Sequence, residues 1–574
     1  MGLGVLTKRT NTYGLHGKKL RMTITATAVA GFSLFGYDQG LMSGLIAAEQ
    51  FNWEFPATRD NGTIQGAVTA SYEIGCFFGA LFALMKGERT GRRPLIFVGS
   101  ILIIIGAIIS TTPFRPHWPL GHFVVGRVIT GLGNGLNTAT IPVWQSEMSR
   151  AENRGFLVNM EGAFIAVGTF IAYWTDFGFS FIDSSVQWRF PVAFQIFFAL
   201  LVLIGIWGCP ESPRWLIKNN HEDEARYILG KLKGVKANDK EVQEEISGMI
   251  ESINKFSRVQ GGIREIFTGG KTQHFRRMII GCSGQFFQQL TGCNAAIYYS
   301  TLLFYQTIFN GTQYRLSMIL GGVFATIYAL STIPSFFLID TLGRRKLFLI
   351  GAAGQGISFT ISFACLINPT PENAKGAAVG IFLFIIFFAF TLLPLPWLYP
   401  PELNPLKTRT YASAASTCTN WLMNFAVVMF VPKFLETSGW GTYLFFAAVN
   451  FCYIPIIYYF YVETKGRSLE EIDIIFAKAY VEKKPAWVIA NTMPKLSLTE
   501  IDEEATKLGL HDDSDDEEID HENIIGSDGD GYGYADDENF EKSNFESGDL
   551  SETDSNTNSN INSNTNSNEN NNEK

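Results

Sequence analysis

Apolar residues in this chain gather into long blocks separated by short charged stretches, instead of being spread evenly as a soluble protein spreads them. Twelve blocks run to about 20 residues, the length at which a helix crosses the hydrocarbon core of a bilayer. They lie near 22–46, 63–86, 94–112, 119–142, 156–179, 188–208, 278–301, 316–339, 347–367, 376–400, 411–431 and 441–461. Polar interruptions are few: Asp38 in the first block, Glu73 in the second, Arg127 in the fourth, Glu161 in the fifth, and a cluster from Gln288 to Asn294 in the seventh. Polar groups in hydrocarbon are costly, so they are kept for a ligand, an ion path or a neighbouring helix.

The seventh block is the most polar. At ~100° per residue, Gln288, Thr291, Gly292, Ala295 and Tyr299 share one face, with Gln289 and Asn294 on its flanks, an arc of roughly 220°. That arc is too wide for one face of a straight helix. Either some amides bond to neighbouring helices, or the helix breaks, and Gly292 is the residue that tolerates a break.

Three loop motifs occur twice in register. Gly91-Arg92-Arg93 recurs as Gly343-Arg344-Arg345, Glu147 with Arg154 as Glu402 with Arg409, and Glu211 with Arg214 as Glu463 with Arg467. The separations of 252, 255 and 252 residues argue for two homologous halves of six helices. The glycines permit a tight turn, and Glu88, Arg92, Arg93, Glu147, Arg154, Arg344, Arg345, Glu402 and Arg409 can form a charge network bridging the halves, an inner gate that breaks when that face opens.

The net charge of −9 hides two populations: residues 501–574 carry −20, leaving +11 on the rest. The basic residues of that remainder fall in alternate loops, which the positive-inside rule places in the cytoplasm together with both termini. The sequons at Asn61 and Asn310 fall in the opposite loops and are candidate glycosylation sites. All seven cysteines lie within or at the ends of apolar blocks, with no disulfide framework and no metal-ligand spacing. The first twenty residues are polar and basic, without the apolar core of a removable signal peptide. No phosphate-cradling loop or catalytic cluster is seen. We therefore expect no enzyme, no cofactor and no nucleic-acid partner; the oligomeric state stays open.

The expected fold is an all-α membrane protein with twelve transmembrane helices in two six-helix halves. Residues 1–21 form a cytoplasmic N-terminal segment, 22–209 and 277–462 the two bundles, 210–276 a cytoplasmic linker with short helices, and 463–574 a cytoplasmic C-terminal segment disordered after about 480.

The pattern Gln288-Gln289-x-Thr291-Gly292-x-Asn294-x-x-x-Tyr298-Tyr299 resembles the seventh-helix sugar-contact motif of the sugar porters, within the major facilitator superfamily. Glu88-Arg89-Thr90-Gly91-Arg92-Arg93, Pro142 to Glu147, Pro210 to Trp215, Pro396-Trp397-Leu398-Tyr399 and Glu463 to Arg467 resemble further signatures of that family, which usually has Asp in place of Glu88. The resemblance implies the major facilitator fold. It also implies that Gln288, Gln289 and Asn294 hydrogen-bond substrate hydroxyls, with Tyr298 nearby and Trp397 and Asn424 in the same wall. Where relatives carry hydrogen-bonding groups or glycines, this chain has Gly162, Tyr328, Thr391 and Leu393, a change that suits a smaller polyhydroxy substrate. Among sugar porters the chain is most similar to fungal plasma-membrane glycerol–proton symporters.

Asp38 in an apolar block becomes a proton carrier if a cation can approach and withdraw, and Arg127 is the evident partner; a static buried ion pair is the alternative. Import of glycerol, or another small polyol, with protons is the expected function. Hexose or pentose transport within the same family, coupled or facilitative, and a transporter-like nutrient sensor remain the alternatives.

Overall fold

A segment inside a bilayer must satisfy its backbone hydrogen bonds internally, and the apolar blocks fold accordingly as helices. The computed structural model describes residues 9–113, 118–149, 154–259, 263–309, 311–368 and 370–510, and contains no strand among them. The helices that cover the first six blocks are α1 (Gly17–Leu45), α2 (Gly62–Thr90), α3 (Arg92–Thr111), α4 (Pro119–Met148), α5 (Arg154–Phe179) and α6 (Val186–Trp207). Three short helices follow in the linker, α7 (Pro213–Lys218), α8 (Glu222–Lys233) and α9 (Lys240–Val259).

The second set is more broken. The seventh block forms α10 (His274–Leu290) and α11 (Cys293–Leu303), separated at Thr291-Gly292, where Gly292 has φ +99°. The eighth forms α12 (Tyr314–Ser331) and α13 (Ser335–Leu342), the ninth α14 (Arg344–Leu366), and the tenth α15 (Pro371–Phe390) and α16 (Leu395–Leu403), interrupted before Pro394 and Pro396. Helices α17 (Arg409–Ser438) and α18 (Trp440–Phe460) complete it.

Among the described residues, nine helical spans are long and apolar enough to cross a membrane. The blocks that fall short are α1, α4 and the broken α10–α11. These are the elements that carry Asp38, Arg127 and the amide cluster, so the deficit in apolarity marks where the polar side chains were placed.

Within the halves, α2 packs on α4, α3 on α4 and α6, α14 on α15 and α18, and α10 on α17. Helices α2 with α17 and α5 with α12 pack across the halves. The contact of α1 with α5 is backbone-close: Gly36 and Gly168 leave no room for a Cβ against Ile165 and Ser33.

The order extends past the expected limit near residue 480. Helices α19 (Leu469–Val481), α20 (Ala486–Thr492) and α21 (Leu498–Lys507) follow. Capping boxes start α19 (Ser468 with Glu471) and α21 (Ser497 with Glu500). Arg467 donates to the carbonyls of Pro494 (2.7 Å) and Ala490 (3.0 Å), and Lys478 pairs with Glu504 at 2.6 Å. Arg277 at the start of α10 pairs with Asp473 at 2.7 Å and donates to the Leu403 carbonyl at 2.6 Å, which ties this C-terminal segment to α10 and α16. The acidic stretch beyond Leu510 lies outside the described residues.

Candidate functional site

The break at Gly292 lets the amides leave the helix axis and meet in the middle of the protein. A cavity of about 30 Å³ lies there, lined from one half by Phe35, Gln39 and Ile165 and from the other by Gln288, Gln289, Asn294, Tyr328, Leu393, Trp397, Asn420 and Asn424 among others. With roughly 10–15 Å³ needed to seat a water, such a space holds on the order of two. Leu393 lines this cavity with apolar bulk and packs toward Gly162, where a Cβ would stand 3.6 Å from it.

The amides are joined into a chain. Gln288 Nε2 donates to the Leu392 carbonyl at 2.7 Å, and its Oε1 accepts from Asn420 at 3.1 Å and from Gln289 at 3.4 Å. Asn294 Nδ2 donates to Gln289 Oε1 at 2.5 Å and to Asn424 Oδ1 at 2.6 Å. Asn424 Nδ2 then crosses to the other half and donates to Glu73 Oε2 at 2.8 Å. Tyr298 does not line the cavity; its hydroxyl donates to the other Glu73 oxygen. Sequence reasoning named five of these groups as substrate contacts but not Gln39, which follows Asp38 and is turned by one helical step from the ion pair to the cavity.

Asp38 and Arg127 meet as expected. Arg127 Nη1 donates to Asp38 Oδ1 at 2.7 Å, and both side chains are 1% exposed. The guanidinium also lies 4.6 Å from the centre of the Tyr72 ring. Asp38 Oδ2 and Arg127 Nε and Nη2 have no hydrogen-bond partner among the described residues, so the pair is held by one bond and remains partly unsatisfied.

At the face that carries the duplicated motifs, the two halves repeat each other nearly bond for bond. Gly91 (φ +93°) and Gly343 (φ +89°) each turn the chain into a helix whose first amides are accepted by one carboxylate. Glu211 accepts from Arg92 N and Arg93 N at 3.1 and 3.0 Å, and Glu463 from Arg344 N and Arg345 N at 2.8 and 3.1 Å. Arg92 holds Glu147 by two bonds of 3.1 and 3.0 Å, and Arg344 holds Glu402 by two of 3.1 and 2.9 Å.

The expected bridge between the halves is therefore not formed in this conformation. Glu147 and Glu402 are each paired inside their own half, Glu88 pairs with Lys218 at 2.7 Å, and Arg409 donates to the Asn404 carbonyl at 3.3 Å. The Arg154 side chain and Asn310 lie outside the described residues, whereas Asn61 is exposed and caps α2 through Oδ1. The reason for the missing bridge is geometric: a vestibule of about 970 Å³ opens between the halves here, lined by Glu88, Arg92 and Glu147 on one side and Trp397, Arg409 and Ser413 on the other. The opposite face is shut by bonds across the halves, among them Ser43 Oγ with Thr301 N (3.1 Å), Tyr314 with the Gly44 carbonyl (3.1 Å) and Glu436 with Gly62 N (3.2 Å). Trp397 borders both the vestibule and the central cavity.

A family model described as "Sugar (and other) transporter" matches residues 23–476. The chain belongs to that family of the major facilitator superfamily. The sugar transporter STL1 of Saccharomyces cerevisiae is 59% identical over 517 residues, covering 89% of this chain and 90% of the relative. The major facilitator superfamily transporter mfsA of Aspergillus fumigatus is 57% identical over 512 residues, covering 87% and 94%. A solved proton:xylose symporter, XylE, superposes with a TM-score of 0.67 at 24% identity, covering 79% of this chain and 99% of its own, and shares the fold. As a sugar transporter family member, the protein is a multi-pass membrane transporter.

Proposed function

We propose that this transporter imports glycerol, or another small polyol, together with protons across the plasma membrane by alternating access. The observation that carries this reading is the small cavity, walled by convergent amides from one half and by Phe35, Gln39 and Ile165 from the other, beside a buried carboxylate–guanidinium pair. Narrowing by Leu393 and Tyr328 favours a three-carbon polyol over a hexose. In this reading both termini and the motif-bearing face are cytoplasmic, in line with the clustering of Arg and Lys there, and Asn61 carries a glycan on Nδ2 while Oδ1 keeps the helix cap.

In the cycle that follows, a proton taken up by Asp38 from outside removes the negative partner of Arg127. Breaking a buried ion pair without such neutralisation costs about 3–5 kcal/mol. The Tyr72 ring remains as a cation–π support of about 2 kcal/mol for the released guanidinium. The solute-loaded halves then rock, the vestibule opens inward, and loss of the proton re-forms the pair. Substrate and proton are linked because each is bound better by the same conformation.

The test is uptake of radiolabelled glycerol and glucose in parallel, in cells lacking their own transporters, with external pH recorded. Glycerol accumulating above its external level with alkalinisation is expected. Glucose uptake without glycerol uptake would overturn the polyol assignment, and glycerol uptake with no alkalinisation the proton coupling.

A further inference from the structure

Glu73 on α2 is fully buried, yet its carboxylate is held by two neutral donors, Tyr298 Oη and Asn424 Nδ2, both from the other half. Arg127 acts on it only through space, its own ion pair being with Asp38. The groups that face Glu73 are Tyr72 and Cys76 on its own helix, Arg127 on α4, Asp38 on α1, and Tyr298 and Tyr299 on α11.

A carboxylate accepts hydrogen bonds and donates none, so it fixes which way each amide beyond it points. Asn424 must turn its NH2 to Glu73 and its oxygen to Asn294. Asn294 must in turn point its NH2 at Asn424 and Gln289, and Gln289 its NH2 at Gln288. The other end of the chain is also fixed, because Gln288 donates to the Leu392 carbonyl. With Glu73 ionised, the two ends agree and the amides between them are bonded head to tail without a solute.

Building on the proposed solute site, we infer that Glu73 is a positioning residue for polyhydroxy solutes, whose protonation reverses the hydrogen-bond polarity of Asn424, Asn294 and Gln289. A protonated Glu73 donates to the Asn424 oxygen, which turns Asn424, then Asn294, then Gln289. The reversal stops at Gln288, pinned by Leu392, and leaves two amide oxygens facing each other at Gln288 and Gln289. Two facing acceptors need a donor between them, and a hydroxyl of the solute supplies it. Protonation thus creates a vacancy for an O–H donor in the cavity wall, so proton and solute favour each other at this site, reciprocally. The same reversal loosens nothing at Asp38–Arg127, which distinguishes the two carboxyls: Asp38 gates the movement, Glu73 tunes the solute site.

The experiment is counterflow exchange of labelled glycerol in proteoliposomes at equal pH on both sides, which needs no gradient, repeated over a pH series. For the wild-type protein the half-saturation concentration is expected to fall as pH falls. Glu73→Gln, neutral at every pH, is expected to bind at least about fivefold tighter than wild type at alkaline pH and to lose the share of the pH dependence that Glu73 contributes, keeping only that of Asp38. Glu73→Asp restores a pH dependence, and Asp38→Asn retains it. A Glu73→Gln profile that follows wild type overturns the inference, as does a flat wild-type profile. Labelled glucose runs beside glycerol: if glucose alone exchanges, the polyol reading fails, while the Glu73 inference is decided on glucose by the same profiles. If no solute exchanges, infrared difference spectra of the substrate-free protein between alkaline and acid pH decide it. A protonated-carboxyl band rising together with side-chain amide bands, both lost in Glu73→Gln, supports the inference; the same bands surviving in that variant overturn it.

Discussion

The two halves are near copies at the motif face and opposites at the centre. Arg92–Glu147 and Arg344–Glu402 superimpose in bonding pattern, as do the carboxylates of Glu211 and Glu463 over their helix starts. At the same offset of 252 residues, however, Asp38, Glu73 and Arg127 correspond to Leu290, Ala325 and Val379, and Gln288 and Asn294 to Gly36 and Met42. Each half must hold its own helices together while it rocks, so that device is kept twice. The solute and the proton need different chemistry, and a two-fold arrangement lets each be placed in one half alone.

The contrast is broken hardest by Asp38→Asn. It should abolish uphill accumulation of glycerol in cells with an imposed pH gradient, a loss as large as the linkage between the sites, roughly 5–150-fold, while leaving downhill exchange. Accumulation that persists and still follows pH would place the coupling proton elsewhere. Gln288→Ala should raise the half-saturation concentration by an amount set by leaving buried partners unpaired, about 1–3 kcal/mol, without changing the number of protons moved per solute. The proton–solute ratio measured in proteoliposomes checks this.

The copied part makes a subtler demand. Arg92→Ala and Arg344→Ala each remove a two-pronged charge-assisted bond of the same geometry, and should shift the accessibility of introduced cysteines in the vestibule by similar amounts. A large effect from one and none from the other would show that the copies have diverged in role.

The smallest expected effect lies in the C-terminal segment. Burial pushes the Glu471 carboxyl up, but the amides of Leu496 and Ser468 and the Arg467 guanidinium outweigh it and hold the group below the usual carboxylate range. A depressed folded value contributes stability above the ordinary carboxylate pKa of about 4.3, which is lost as pH falls through the folded value. Limited proteolysis between α19 and α21 should therefore quicken on acidification, and Glu471→Gln should show faster cleavage already at neutral pH, by about 1 kcal/mol of lost hydrogen bonding.

The helices and the break in the seventh block were legible, because bilayer length and an arc too wide for one face leave few alternatives, and Gly292 is where the break occurs. The Asp38–Arg127 pair was legible because two opposite charges in hydrocarbon have little choice of partner. The gate is open in this conformation, and its resting partners were not legible. The seven-residue spacing of Glu147 to Arg154 repeats in Glu402 to Arg409, but each glutamate is held by an arginine more than fifty residues earlier in the chain, which no local spacing reveals. Glu73 was legible only as a polar interruption of its block for the same reason, since its donors lie 225 and 351 residues away. The helices beyond residue 480 were missed for a different cause: the acidic composition after residue 500 masked the Ser497-x-x-Glu500 capping box that was present to be read.

Trp397 has one consequence for optical work. Trp397 stands between a small enclosed cavity and a wide vestibule, so the polarity around its indole changes whenever the wall between the two spaces moves. Indole emission moves to longer wavelength as its surroundings become more polar. The protein therefore carries its own fluorophore at the exit of the site, and a red shift on acidification or on adding solute that disappears in Trp397→Phe, among the eleven tryptophans of the chain, would time the release step without any attached label.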